Sequence, residues 1–259
     1  MEPDPTLIVV PVRAETAEEI EPILQTLVSV ATTAPTTMVL AVDDRSPEPE
    51  AQLIQAACEE LQCAYVLQED GEGVAAAINV GLAAANEHGM DACVVASGVM
   101  LEDHGWLERL QARTDKAGEL AAVAGGSILE ADGTIRHAGY FFSLFRRSWS
   151  ARLRYVPQEL LEVEEPLLCP VSVELALIRR PWIERIGMLD PVMDAPHASL
   201  DYCLRVHAEG GQSILEPTVH ARALEKADPE PNAHAPAASR LRLKHADVNF
   251  GRWCPEVIS

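Results

Sequence analysis

Two adjacent carboxylates, Asp43 and Asp44, follow the apolar run Thr37–Val42. Carboxylates at the end of a strand in an open α/β sheet stand where such sheets bind ligands. There they can accept hydrogen bonds from a uracil N–H or a ribose hydroxyl. Asp44 and Ser46 are equally suited to a turn that caps the next helix. Arg13 follows another apolar run, Thr6–Val12, and can either reach a diphosphate as a charged fork or pair with Glu15. Gly71 and Gly73 precede a helix start, whose free backbone N–H groups favour anions. Arg146, Arg147, Arg152 and Arg154 form a basic patch beside Phe141, Phe142, Phe145, Trp149 and Tyr155. The patch either contacts a phosphate or an acidic acceptor, with rings stacked on a sugar face, or is an exposed loop that balances local acids. Other chemistries find little support. The six cysteines, Cys58, Cys63, Cys93, Cys169, Cys203 and Cys254, form no CxxC pair and read as free thiols of a reducing compartment. There is no HExxH spacing, no Gly-rich Lys loop and no GxGxxG.

The elements that position these groups alternate over the first 125 residues. Strands are expected at Thr6–Val12, Thr37–Val42, Ala64–Leu67, Ala92–Ala96 and Leu120–Ala124. Helices are expected at Thr16–Val30, Pro49–Leu61, Gly73–Glu87 and Asp103–Thr114. This order predicts an α/β fold with a mainly parallel central sheet flanked by helices. The second half is less regular. It predicts a strand or hairpin at Thr134–Phe142, a long loop at Ser148–Glu165 and a strand at Val171–Ile178. Helices follow at Pro181–Ile186 and Leu200–Glu209, then a short strand at Ser213–Leu215. Asp228–Ala238 is rich in Pro and Ala and reads as a linker before a last helix, Ser239–Phe250. The expected organisation is a unit of residues 1–227, with a nucleotide-binding half (1–125) and an acceptor half (126–227), then linker and helix over 228–259.

Composition narrows the partners. The chain has 259 residues, with 20 Lys+Arg against 40 Asp+Glu and a formal net charge of −20. That balance argues against nucleic acid, whose phosphates call for Lys and Arg, and against anionic lipid surfaces. With 48% hydrophobic residues the chain is globular in composition, yet no stretch is long and apolar enough for a transmembrane segment. The first residues are acidic and Pro-rich, unlike a signal peptide, so the expected location is cytoplasmic.

A series of segments, in order, resembles family 2 glycosyltransferases with the GT-A, Rossmann-like nucleotide-sugar fold. They are Val9-Val10-Pro11-Val12-Arg13, Val42-Asp43-Asp44-Arg45-Ser46, the helix from Gly73 through Asn79 to Leu82, and Gly105-Trp106-Leu107-Glu108-Arg109-Leu110. Further on come His137-Ala138-Gly139, Leu177-Ile178-Arg179-Arg180, Ile186-Gly187-Met188-Leu189-Asp190, Asp201-Tyr202-Cys203-Leu204-Arg205 and Phe250-Gly251-Arg252-Trp253. The resemblance implies a nucleoside-diphosphate sugar donor and a carbohydrate acceptor. It implies that Pro11 and Arg13 line the base pocket, that Asp43 or Asp44 holds the nucleoside, and that Gly73 and Asn79 support the nucleotide and donor sugar.

Two departures stand out. The family's fourth strand ends on an Asp-x-Asp motif that holds Mg²⁺ or Mn²⁺ on the diphosphate. Here that place is Ala96-Ser97-Gly98, and Ser97 alone is a poor ligand for a hard cation. Glu102 and Asp103 come later and either swing in or cap the next helix. His220, which the resemblance puts at the metal, has lost its partners. The position matching the base of an inverting transferase is Ser199, which leaves Asp201, Asp194 and His197 as alternatives. Two functions follow. One is a transferase acting on a hydroxyl acceptor such as a growing surface polysaccharide. The other is an inactive transferase-like scaffold, working as a homo-oligomer or with a protein partner. Convergence of Glu102, Asp103, Asp194 and Asp201 on Asp44 would favour the first.

Overall fold

The computed structural model describes residues 4–69, 71–143, 145, 148–158, 166–225, 235–246 and 248. The first half follows the expected alternation. β1 (Thr6–Val12) leads through α1 (Ile20–Thr33) to β2 (Met38–Asp43), α2 (Glu50–Glu60), β3 (Ala64–Leu67), α3 (Val74–Glu87) and β4 (Asp91–Val95). Along β1, Leu7 and Val9 enter one apolar core while Ile8, Val10 and Val12 enter the other. A continuous apolar run therefore marks a strand covered on both faces. α1, α2 and α4 (Trp106–Ala117) cover one face; α3, α5 (Arg180–Ile186) and α6 (Ala195–Ala208) cover the other. α3 packs closely on β1, because a Cβ at Gly81 would overlap the Val9 side chain.

With β6 (Ala121–Leu129), β10 (Leu167–Leu168), β11 (Leu175–Ile178) and β12 (Gln212–Ala223), the sheet runs β10-β12-β6-β11-β4-β1-β2-β3. β1, β2, β3 and β4 are mutually parallel, and β12 is parallel to β6. β11 is antiparallel to both β4 and β6, and β10, β5 (Val99–Met100) and β7 (Ile135–His137) are antiparallel to their neighbours. The sheet is thus mixed rather than mainly parallel. β11 is entered without a crossover helix, and a parallel pairing would need one. β6 carries the chain across residue 125 without a break in the sheet.

Local differences have local causes. The expected strand at Val171–Ile178 begins only at Leu175, because Ser172 and Glu174 fold into a turn bound by their own side chains. The expected loop at Ser148–Glu165 contains β9 (Ser148–Ala151), which pairs with β8 (Tyr140–Ser143). The short strand expected at Ser213–Leu215 is the twelve-residue β12. Its pairing register shifts between Leu215 and His220, which accommodates Pro217. The last described helix, α7, spans Ala235–Lys244 rather than Ser239–Phe250. Much of the expected linker and the Phe250-Gly251-Arg252-Trp253 segment lie outside the described residues. No described helix is long and apolar enough to cross a membrane.

Candidate functional site

Three parallel strands each hand over to a polar residue at the same edge of the sheet: Arg13 after β1, Asp44 after β2 and Gln68 after β3. The ladder continues one step past the strands, with Asp44 N–H donating to Val12 and Gln68 N–H donating to Asp43. The three side chains meet. Asp44, 3% exposed, accepts from the Gly73 backbone N–H at 2.8 Å and from Arg13 and Gln68 at 3.3 Å each. The Gln68 Oε1 atom is buried without a partner. Gly73 opens α3 with φ +92°, a conformation that suits glycine, so its N–H faces the carboxylate. Arg45 takes a left-handed φ of 59° and donates to the Gly71 carbonyl. Arg13 and Arg45 are 40% and 44% exposed and flank Glu72. Arg13 also pairs with Glu15, the second of its two sequence readings.

Asp43 is placed differently. It is fully buried, accepts from the Ser46 backbone and hydroxyl, and takes the Tyr65 hydroxyl at 2.7 Å. Burial, and then this bond to Asp43, push the Tyr65 hydroxyl pKa up. Asp43 therefore shapes the turn, while Asp44 faces the edge. Pro11 is buried within β1, opposite Val42.

The chain reverses direction along the sheet between β1 and β4, since β2 and β3 extend one way and β4 returns on the other side. Such switch points open a crevice beyond the carboxyl ends of the strands. Beyond β4 that crevice is lined by the half-buried turn Ala96-Ser97-Gly98. The donor set there does not fit a divalent cation. Glu102 pairs with Arg222 and Asp103 with Arg109, and both acids are half exposed. His220 contacts Gln158, and burial holds its imidazole below the ordinary value. Among the described residues no three His, Cys, Asp or Glu side chains gather as a metal site would require.

On the other side of the crevice, Ser199 is fully buried, accepting from the Val173 N–H and donating to the Ala195 carbonyl. Asp194 caps α6, accepting from the His197 N–H at 3.0 Å and contacting its ring at 2.6 Å. Asp201 is fully buried. It accepts from Arg205 at 2.8 Å, Lys244 at 2.8 Å and His245 at 2.9 Å. Burial opposes its ionisation, but His245, Lys244 and Arg205 hold the carboxyl far below the usual range. Asp190 takes Arg240 and Lys244 in the same way. Asp201 fastens α7 to α6, and Asp190 fastens it to the segment before α6. Asn79 is likewise engaged, donating to the Leu189 carbonyl at 2.9 Å and accepting its N–H at 2.8 Å. Glu102, Asp103, Asp194 and Asp201 each have partners other than those of Asp44.

Two residues that sequence reasoning passed over stand at the edge. Gln68 is the first; its signal was its place directly after a strand. Glu174 is the second, directly before β11, with its carbonyl accepting the Ala96 N–H. Its carboxylate contacts His137 Nε2 at 2.6 Å and accepts from Ser172 at 3.0 Å. Of the basic patch, Arg154 lies over the Tyr155 ring at 4.9 Å; Arg146 and Arg147 lie outside the described residues.

The family model for glycosyl transferase family 2 matches residues 7–186. No curated protein matches the sequence. Among solved structures, GalNAc-T7 with UDP, GalNAc and Mn²⁺ is similar with a TM-score of 0.67 at 14% identity, over 93% of this chain and 48% of that one. The mannosyltransferase PcManGT from Pyrobaculum calidifontis, in complex with GDP-Man and Mn²⁺, gives a TM-score of 0.55 at 18% identity, over 94% and 63%. This chain thus spans about half the length of the first and under two thirds of the second. At these identities the structures establish the shared GT-A fold, and the family match covers well over half of the sequence. The chain belongs to glycosyl transferase family 2.

Proposed function

We propose that this protein binds a nucleoside-diphosphate sugar at the β1–β3 edge and transfers the sugar to a hydroxyl acceptor. One observation carries the reading: Arg13, Asp44 and Gln68 meet beside the switch-point crevice, and a buried acceptor, Gln68 Oε1, has no partner there. Buried polar atoms are normally paired, and a base N–H or ribose hydroxyl would complete this one. Arg13 and Arg45 can neutralise the diphosphate as charge develops on the leaving group, by hydrogen bonds that strengthen as the sugar departs. Ser97 lines the sugar end of the same crevice. The mechanism draws its countercharge from arginine because the strand end carries no carboxylate ligands. The buried free thiols Cys58, Cys93, Cys169 and Cys203 support a reducing, cytoplasmic place of work.

A second reading is favoured by the burial of Ser199 and the absence of a carboxylate in Ala96-Ser97-Gly98: nucleotide binding without transfer, in a scaffold. Calorimetric titration of UDP, GDP and dTDP, with and without Mn²⁺, tests what both readings share. Binding indifferent to Mn²⁺ is expected, weakened roughly tenfold or more by Arg13→Ala or Arg45→Ala, as for loss of a charge-assisted hydrogen bond. No binding of any nucleotide overturns both readings.

A further inference from the structure

The acids that the family pattern singles out are committed elsewhere. Glu174 is a partly exposed carboxylate beside the end of β4. It directly precedes β11, next to the end of β4, and its neighbour Val173 is bound to Ser199. It therefore stands between the strand end that lacks a metal motif and the helix position that lacks a base. Along the strand order β11-β4-β1-β2, it lies three strand spacings from Asp44, roughly 14 Å at about 4.8 Å per strand. A nucleotide held at β1–β3 would place its sugar in that interval.

The surroundings of Glu174 suit a poised group better than a structural ion pair. Oε2 takes both His137 and Ser172, while Oε1 carries no hydrogen bond among the described residues. The side chain is 28% exposed. His137 is buried and stacked on Tyr140 at 6.0 Å, and its Nδ1 has no partner. A buried polar group left half satisfied is costly, and its retention asks for a functional reason.

We propose that Glu174 is the general base of the transfer and that His137 is its positioning residue; this rests on the donor reading above. The acceptor hydroxyl oxygen bonds to the anomeric carbon and the bond from that carbon to the phosphate oxygen breaks. The nucleoside diphosphate leaves with the bonding pair. The hydroxyl proton passes to Glu174 Oε1. Arg136 also acts on the carboxylate through its charge, and Glu174 and Asp194 act in the same way on Tyr140. Burial works against the charged form, yet His137, Ser172 and Arg136 bring the Glu174 pKa down to about 2. A base this weak takes the proton late, once bonding to the anomeric carbon has made the hydroxyl acidic.

The test needs no known acceptor, because water can stand in for it. UDP-glucose, UDP-GalNAc, GDP-mannose and dTDP-glucose are incubated with the protein and release of the nucleoside diphosphate is followed, beside calorimetric binding of the free nucleotides. Release from one donor, reduced roughly a hundredfold or more in Glu174→Gln with nucleotide affinity unchanged, is the expected result. In His137→Asn the acid limb of the pH–rate profile is expected to move up, because the imidazole contact that depresses the Glu174 carboxyl is gone. Formate is expected to restore part of the rate in Glu174→Ala. Equal release by wild type and Glu174→Gln overturns the proposal. So does nucleotide binding without release from any donor. No nucleotide binding at all instead overturns the donor reading itself.

Discussion

The two sides of the switch-point crevice treat their carboxylates in opposite ways. On the β1–β3 side, Asp44 meets its partners at a strand edge, and two half-exposed arginines stand beside it. On the β11–α6 side, Asp190 and Asp201 are consumed by Arg240, Lys244 and His245, brought in by α7 from more than forty positions away in sequence. The first arrangement leaves cations facing outward. The second leaves neither Asp190 nor Asp201 available to a substrate. What an acid can do is decided by its partners, and a motif match does not reveal them.

Substitution at Asp201 gives the strongest separation of the two sides. Asp201→Asn leaves Arg205, Lys244 and His245 gathered around a neutral amide, and breaking a buried pair in this way costs about 3–5 kcal/mol. Urea unfolding should show that loss, with nucleotide affinity of the folded fraction unchanged. A stable Asp201→Asn protein that has lost turnover would instead make Asp201 a catalytic group. The pH dependence has a definite sign. The folded carboxyl titrates below its unfolded value of about 3.9, so its contribution is complete above that pH and is lost as pH falls below it. The gap between wild type and Asp201→Asn should therefore hold through neutral pH and narrow below about pH 4.

A smaller effect is expected where the two sides are joined. Asn79 on α3 holds both backbone groups of Leu189, just before Asp190. Asn79→Ala leaves a half-buried N–H and C=O unpaired, for about 1–3 kcal/mol. Thermal unfolding should register it while UDP or GDP affinity does not change. A large loss of affinity at unchanged stability would show that Asn79 touches the nucleotide, as the family resemblance implies.

This contrast also marks how far the sequence could be read. The parallel half was legible because each strand there is a short apolar run buried on both faces, and each helix has its own apolar stripe. The edge residues Arg13 and Asp44 were legible for the same reason, since the end of a strand fixes where the next side chain stands. β11 was misread by four residues because Val171–Glu174 alternates apolar and polar residues as a strand does and is bent by the Ser172 and Glu174 side chains. Glu174 was missed with it. β12 was cut short at Pro217, whose register shift cannot be seen without the partner strand. The engagement of Asp201 depends on Lys244 and His245, and no local pattern connects them.

The gentlest test acts on the arginine pair itself. Glu72 lies at 3.9 Å from Arg13 and 3.7 Å from Arg45, and it is 73% exposed. On the donor reading it would compete with a diphosphate for the two guanidinium groups it lies beside. Glu72→Gln should tighten UDP or GDP binding by about two- to fivefold, the scale of an exposed ion pair near 0.2–1 kcal/mol. The gain should fade as salt rises, since both charges are open to solvent. Thermal stability should not move. If affinity falls instead, the Glu72 carboxylate is itself accepting a hydroxyl from the ligand, and the diphosphate then lies away from Arg13 and Arg45, toward the Ala96-Ser97-Gly98 turn.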